Sequence, residues 1–257
     1  MHRVSFRRNG AVCEPKHAPL YFLHRAYAAA TLRCITPSRG PLLASNSASR
    51  GLAVLGRPSE PLGVELIRVQ RQLEAIYQLE PAPAIAPFVR VDPDEPREQL
   101  LVRESEEGMD IVVVLPVASA EAMLSRDASA ALDAYLGAVE GISHFIHLAE
   151  RARTELPTTL LELELQAEVD KFALLLGEQR PANTVELVSL HRRLYEDVRF
   201  LHTSGTEAGQ RYRLANDLAA RLWSQLIRQG PAAVHRDTLR RFYRASQAEK
   251  ISMVVAA

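Results

Sequence analysis

From residue 119 onward, apolar residues recur at spacings of three and four, which is the periodicity of one face of an α-helix. The pattern predicts helices over residues 128–153, 158–177, 184–202, 206–229 and 235–250, with a short turn at 119–125. Residues 161–170 (LELELQAEVD) alternate like a strand, but only Val169 is β-branched and the other residues favour helix. The second half of the chain is therefore expected to form a bundle of about five helices.

Capping residues support these helix boundaries. Three Ser, Thr or Asn residues are followed three positions later by Glu, which is the spacing of a capping box. The pairs are Thr159 with Glu162, Asn183 with Glu186, and Ser204 with Glu207. Each pair predicts the start of a helix.

Residues 60–118 predict a helix followed by strands. Five apolar residues at spacings of four and three form one stripe of an amphipathic helix over 62–79, namely Leu62, Leu66, Val69, Leu73 and Ile76. The prolines at 81, 83 and 87 then favour an extended connector. Strands are predicted at Phe88–Val91, Gln99–Glu104 and Asp110–Leu115. Residues 111–115 are apolar on both faces, so we expect this strand to be the most buried of the three.

The predicted fold class is α+β and predominantly α: an amphipathic helix, a small three-stranded antiparallel meander and a bundle of about five helices. Gly108 would supply a positive φ in the turn between the second and third strands. The expected division is a helix and meander at 60–118 and a bundle at 119–257, packed together as one unit.

Charge separates the first 59 residues from the rest. They hold nine Lys or Arg and one acid, whereas residues 60–208 hold thirteen basic and twenty-seven acidic side chains. This basic, aperiodic block is expected to be disordered or to be an extension from a start codon assigned too early; organelle targeting is a minor alternative. Both cysteines, Cys13 and Cys34, lie in it, which excludes a disulfide, a thiolate metal site and a cysteine nucleophile from residues 60–257.

The strongest candidate site is Glu140-x-x-x-His144-x-x-His147, because these spacings place three metal-ligating side chains on one helix face. The next helix offers Glu164 and Glu168, and the predicted ligand set is Glu140, His144, His147 and Glu168. The Glu-x-x-His pair of di-iron bundles and the His-Glu-x-x-His of zinc proteases are absent from this region. A solvated polar face, or a buried hydrogen-bonded histidine, is the preferred interpretation, and a transition-metal site is the alternative.

Other polar residues give weaker signals. The acidic residues Glu162, Glu164, Glu168 and Asp170 are interpreted as the wet side of a helix, and His191, His202 and Ser204 as structural residues. The last predicted helix carries four arginines, Arg236, Arg240, Arg241 and Arg244. They are expected to pack on the acidic 60–208 part of this chain. The alternative is that they contact nucleic-acid phosphates.

The lead hypothesis for function is a soluble helical protein that acts through protein contacts, as an accessory subunit, a scaffold or a homo-oligomer. The alternative is a metal-dependent helical-bundle enzyme, and a weaker one is a nucleic-acid-binding regulator. No enzyme motif is identified and no cofactor is expected apart from the alternative transition metal. Three Lys against twenty-eight Arg are typical of GC-rich coding, so a bacterial, cytoplasmic protein is expected. No apolar run reaches the length of a membrane span.

Overall fold

The computed structural model describes residues 3–8, 11–12, 32–34, 56–105, 108–125, 131–179, 183–200, 202–229 and 235–255. Most of these residues are helical and a small sheet accompanies them, so the predicted α+β, mainly α, class is confirmed. The helices are α1 (Glu60–Tyr77), α2 (Val117–Leu124), α3 (Leu132–Arg153), α4 (Leu160–Gln179), α5 (Thr184–Tyr195), α6 (Glu207–Gln229), α7 (His235–Arg244) and α8 (Gln247–Val255). The strands are β1 (Arg3–Arg8), β2 (Ala11–Val12), β3 (Leu32–Cys34), β4 (Val89–Asp92), β5 (Gln99–Ser105) and β6 (Gly108–Pro116).

The sheet is mixed, so the predicted antiparallel meander is wrong in its topology. β5 pairs antiparallel with β6, with Gln99 opposite Val114. β4 pairs parallel with the other edge of β6, with Val89 opposite Val113. The prolines at 93 and 96 interrupt the connection between β4 and β5, which disfavours the tight hairpin that a meander requires.

The burial and turn expectations for β6 hold. Four of the five residues from Ile111 to Leu115 are fully buried, and Val114 is 4% exposed. Gly108 has a φ of 141°, a conformation that glycine adopts without steric cost. The neighbouring turn residues 106–107 lie outside the described residues.

Strands of the basic N-terminal block extend this sheet. β1 runs parallel to β5 and antiparallel to β2, while β3 runs parallel to the first half of β6. The other residues of the block, up to residue 55, lie outside the described residues. The expected lack of fixed structure therefore stays a prediction for them.

The apolar core joins α1, the sheet and the helices that follow. The predicted stripe of α1 is buried at Leu62, Leu66, Val69 and Leu73, and Tyr77 completes it in place of the partly buried Ile76. α3 packs against α1, α2, α4 and β6, so it lies in the middle of the molecule. No described helix is both long and apolar enough to cross a membrane.

Helix boundaries agree with the sequence pattern except where tertiary contacts intervene. The helix predicted over 184–202 ends at Tyr195, whose carbonyl accepts a hydrogen bond from the Asn216 side chain at 3.1 Å. The helix predicted over 235–250 is two helices, because Ser246 and Glu249 form a capping box that starts α8. The Thr159–Glu162 and Asn183–Glu186 caps are present, whereas α6 is capped by Thr206 and not by Ser204.

Candidate metal centre

The polar residues of α3 are buried, so of the two forms of the preferred interpretation the solvated face is wrong, whereas His147 is a buried histidine hydrogen-bonded to Arg151. Glu140, His144 and His147 are 1%, 2% and 0% exposed. They are buried because α3 has neighbours on several sides, with α4 lying along it. Three ionisable groups on a central helix require partners, since an unpaired charge in the interior is strongly destabilising.

The acidic ladder of α4 is also buried, so its interpretation as the wet side of a helix is wrong. Glu162, Glu164 and Asp170 are each at most 4% exposed. α4 packs between α3 and α6, which leaves it no broad solvent face. Glu162, Glu164 and Asp170 are therefore placed against neighbouring helices rather than water, whereas Glu178 near the end of α4 is exposed.

Three of these side chains converge between α3 and α4. One ligand atom from each of Glu140, His144 and Glu164 lies within 4.8 Å of the other two, and all three side chains are buried. Nε2 of His144 is 3.7 Å from Oε2 of Glu164. We call these residues the Glu140–His144–Glu164 cluster.

Several polar atoms at the cluster have no hydrogen-bond partner within the part of the chain that the structure describes. Nε2 of His144 and Nε of Arg211 are among them, whereas the carboxylate of Glu164 has the hydroxyl of Tyr212 as a hydrogen-bonding neighbour. Leaving a buried polar group unsatisfied costs about 1–3 kcal/mol, and more for a charged group. Buried polar atoms of this kind are explained by local strain, by an ordered water or by a bound ion, which makes the cluster a candidate site.

Two cations border the cluster. Nζ of Lys171 lies 2.5 Å from Oε2 of Glu140 and 2.8 Å from Oε1 of Glu168. Nε of Arg211, from α6, lies 3.7 Å from Oε1 of Glu164. Three carboxylates thus face two side-chain cations, so the charges balance when one carboxylate is protonated and leave one negative charge uncompensated when all three are ionised.

Burial sets the protonation states at the cluster. It lowers the pKa of His144 to about 4, although Glu140 opposes the shift, so the imidazole is neutral at pH 7. Burial, together with the nearby Glu140, raises the pKa of Glu164 well above its usual range. Burial acts to lower the pKa of Lys171, but the attraction of Glu140 and Glu168 outweighs it and raises that pKa. A neutral imidazole with an available nitrogen is the form that binds metals.

The predicted ligand set of Glu140, His144, His147 and Glu168 is only partly brought together. Glu140 and His144 belong to the cluster, but Glu164 takes the position expected for Glu168. Glu168 instead pairs with Lys171 and is less buried, at 20% side-chain exposure. His147 lies outside the cluster. Its Nε2 accepts a hydrogen bond from Nε of Arg151 at 3.3 Å, and its ring packs edge-on against the ring of Tyr243.

A second polar network surrounds Asp170, which follows Glu164 by six residues on α4. Its carboxylate accepts hydrogen bonds from Tyr77, Ser143 and Gln166 at 2.5–2.7 Å. Burial raises the pKa of Asp170 to about 6, and these hydrogen bonds oppose that rise. The Asp170 carboxylate has three hydrogen-bond donors, which sets it apart from Glu164. This network is therefore explained as a structural link between α1, α3 and α4.

The remaining candidates have structural contacts. Nε2 of His191 lies 2.9 Å from both the Ala220 carbonyl and Oγ of Ser224. The ring of His202 stacks on Tyr212. Arg240 and Arg244 donate hydrogen bonds to the last carbonyls of α1, so these two arginines contact the acidic 60–208 part of the chain through backbone carbonyls at a helix end.

The ligand types at the cluster suit a transition-metal ion. Two carboxylates with one neutral imidazole form a set that zinc, iron and manganese accept. Two surface cavities of about 790 and 410 Å³ lie along α1 and α4, and no cluster residue lines either one. Comparisons with protein-family models, with curated proteins and with solved structures find no match to this chain.

Proposed function

We propose that the protein binds one divalent transition-metal ion between α3 and α4, with Glu140, His144 and Glu164 as its ligands. The observation that carries this proposal is the unsatisfied Nε2 of His144, which lies 3.7 Å from Oε2 of Glu164, with both residues 2% exposed. A divalent ion between α3 and α4 would give Nε2 of His144 and the carboxylates of Glu140 and Glu164 a common partner. Metal binding replaces action through protein contacts as the leading hypothesis for function, because the geometry of the cluster supports it.

The enclosure of the cluster favours an ion that stabilises the protein over one that turns over substrate. Catalytic zinc sites keep one coordination position open to water or substrate, whereas structural sites are closed. The cavities along α1 and α4 do not reach the cluster. We therefore propose a metal-binding helical protein, with the ion fixing α3 against α4.

Elemental analysis of the purified full chain, before and after incubation with zinc, tests this proposal. We expect about one equivalent of zinc, iron or manganese, and a higher melting temperature with metal than with chelator, because a ligand held by the folded state stabilises it. His144→Ala and Glu164→Gln should each abolish stoichiometric binding.

His147→Ala is the matched control, since His147 is a buried histidine one turn away on the same helix. It should retain the metal. If the wild type holds no stoichiometric metal after zinc incubation, or if His144→Ala binds as much as the wild type, the proposal is wrong.

Action through protein contacts remains a second candidate function, and one observation favours it. Val185 and Val188 lie three positions apart on α5 and are 78% and 53% exposed. Apolar side chains at this spacing share one helix face, which a partner or a second copy could cover. The solution mass by light scattering tests self-association, and Val185→Glu with Val188→Glu should return any dimer to monomer.

A further inference from the structure

Lys171 is a buried cation held between two carboxylates. It is 8% exposed, and its Nζ contacts both Glu140, a proposed metal ligand, and Glu168, one turn earlier on α4. A lysine at this depth requires anionic partners, and these two carboxylates supply them. Its position matters because Glu140 would have to serve the ammonium and the metal ion at the same time.

We propose that the Lys171 ammonium is the built-in counter-ion of this site: it competes with the metal for Glu140 and stabilises the fold when no metal is bound. The proposal rests on the proposed function, because it concerns how the Glu140–His144–Glu164 cluster is loaded. The metal ion and the Lys171 ammonium would then each partly replace the other as the positive charge beside Glu140.

Charge balance supports this role. Without metal, Glu140, Glu164 and Glu168 face Lys171 and Arg211, so the charges of the five side chains sum to zero when Glu164 is protonated and to −1 when it is ionised. With a divalent ion added, the same groups carry one excess positive charge. Two cations a few ångströms apart in a medium of low dielectric constant repel strongly, so the ammonium must weaken metal binding.

A different role for Lys171 gives the opposite prediction. Groups that hydrogen-bond to a metal ligand often hold it in the binding orientation, and their removal typically weakens metal affinity by about 10–100-fold. If Lys171 only positioned Glu140, its replacement would therefore lower the affinity. The direction of the change separates competition from positioning.

The experiment is a zinc titration against a competing chelating dye, with full-length wild type, Lys171→Met, Lys171→Arg and Lys250→Met. We expect Lys171→Met to bind zinc at least tenfold more tightly than the wild type and to have a lower melting temperature in chelator. Lys171→Arg keeps the charge and should bind no more tightly than the wild type. Lys250→Met removes another fully buried lysine, one that bonds to Gln166, and should leave zinc affinity unchanged.

Equal or weaker zinc binding by Lys171→Met would overturn the inference and leave the proposed function intact. A Lys171→Met chain that fails to fold even with zinc present would overturn it too, since the ion should replace the ammonium. If the wild type binds no zinc, the proposed function fails. In that case tight binding by Lys171→Met would still support the competition, and no binding by either protein would end both proposals.

Discussion

A Cβ atom at Gly141 would lie 2.9 Å from Cγ1 of Val113. This glycine therefore lets α3 approach β6 more closely than any other residue would. The close approach buries α3, and with it the proposed ligands Glu140, directly before Gly141, and His144, three residues after it. Gly177 of α4 offers a contrast, since a Cβ there would meet nothing within 4 Å.

We predict that Gly141→Ala and Gly177→Ala change stability in opposite directions. The new methyl at 141 must displace the branched side chain of Val113, and overpacking of this kind costs about 1–3 kcal/mol. Ala at 177 should add up to about 1 kcal/mol, because glycine is a poor helix former. Chemical denaturation measures both, and a Gly141→Ala protein as stable as the wild type would show that α3 does not sit this close to the sheet.

At the level of single residues, the sequence predicts the type of site but not its full membership. Glu140 and His144 are four apart on one helix, so their shared face follows from helix geometry. Glu164 and Glu168 are also four apart, and both could face α3. Which turn of α4 lies opposite His144 depends on how α3 and α4 pack together. The spacing of residues within one helix does not determine that packing.

Among the secondary-structure elements, α8 is unusual because it places a lysine, Lys250, fully inside the core. The capping box of Ser246 and Glu249 starts this helix and directs Lys250 inward. Nζ of Lys250 donates a hydrogen bond to Gln166 and lies 5.2 Å from the centre of the Phe242 ring. Burial, with the positive charge of Arg151, lowers the pKa of Lys250 to about 7.

We predict that Lys250 contributes a rise in the free energy of unfolding with pH between pH 7 and 9, whereas the raised pKa of Glu164 acts in the opposite direction. The unfolded chain keeps Lys250 protonated up to its ordinary pKa of 10.5, whereas the folded chain releases the proton from about pH 7. The unfolded state therefore binds more protons in this window, so stability increases with pH, by up to about 2 kcal/mol over the two units. Asp170, with a pKa of about 6, titrates below the window.

Denaturation curves at pH 7, 8 and 9 measure the slope. Lys250→Met should abolish most of it, and Arg236→Met, which removes an exposed cation of α7, should leave it unchanged. A pH dependence of stability that is the same in the wild type and in Lys250→Met would contradict the lowered pKa of Lys250.

The break between α7 and α8 shows why helix boundaries were only partly predicted. The Ser246–Glu249 spacing matches a capping box, so this signal was present in the sequence although the apolar periodicity continued across it. The end of α5 had no such signal. It depends on the side chain of Asn216, twenty-one residues further along the chain, which is a tertiary contact.

For the whole molecule, the order of the strands was the part of the fold that the sequence predicted least well. The apolar run of β6 identifies a central strand, but not which strand lies on each of its edges. β4 and β5 flank β6 on opposite sides, and β1 lines the far edge of β5. Local pattern contains no information on such pairings between distant segments.

We predict that a protein beginning at Gly56 folds with nearly the same melting temperature as the full chain. The apolar core that the structure describes is built from residue 62 onward, and the Gly56–Val91 bridge is kept. For a domain of this size, 1 kcal/mol corresponds to about 2–4 °C. Thermal unfolding by circular dichroism measures the difference. A fall of more than a few degrees would show that the pairing of β1 with β5 is required for stability.

The location of the ion is the central claim, and anomalous X-ray scattering from crystals of the zinc-loaded protein tests it most directly. Data collected on both sides of the zinc absorption edge should give one strong peak between α3 and α4. Nε2 of His144 should lie about 2.0–2.1 Å from this peak, and carboxylate oxygens of Glu140 and Glu164 about 2.0–2.2 Å. A peak elsewhere in the molecule, or ordered water with no anomalous signal at the cluster, would contradict the claim.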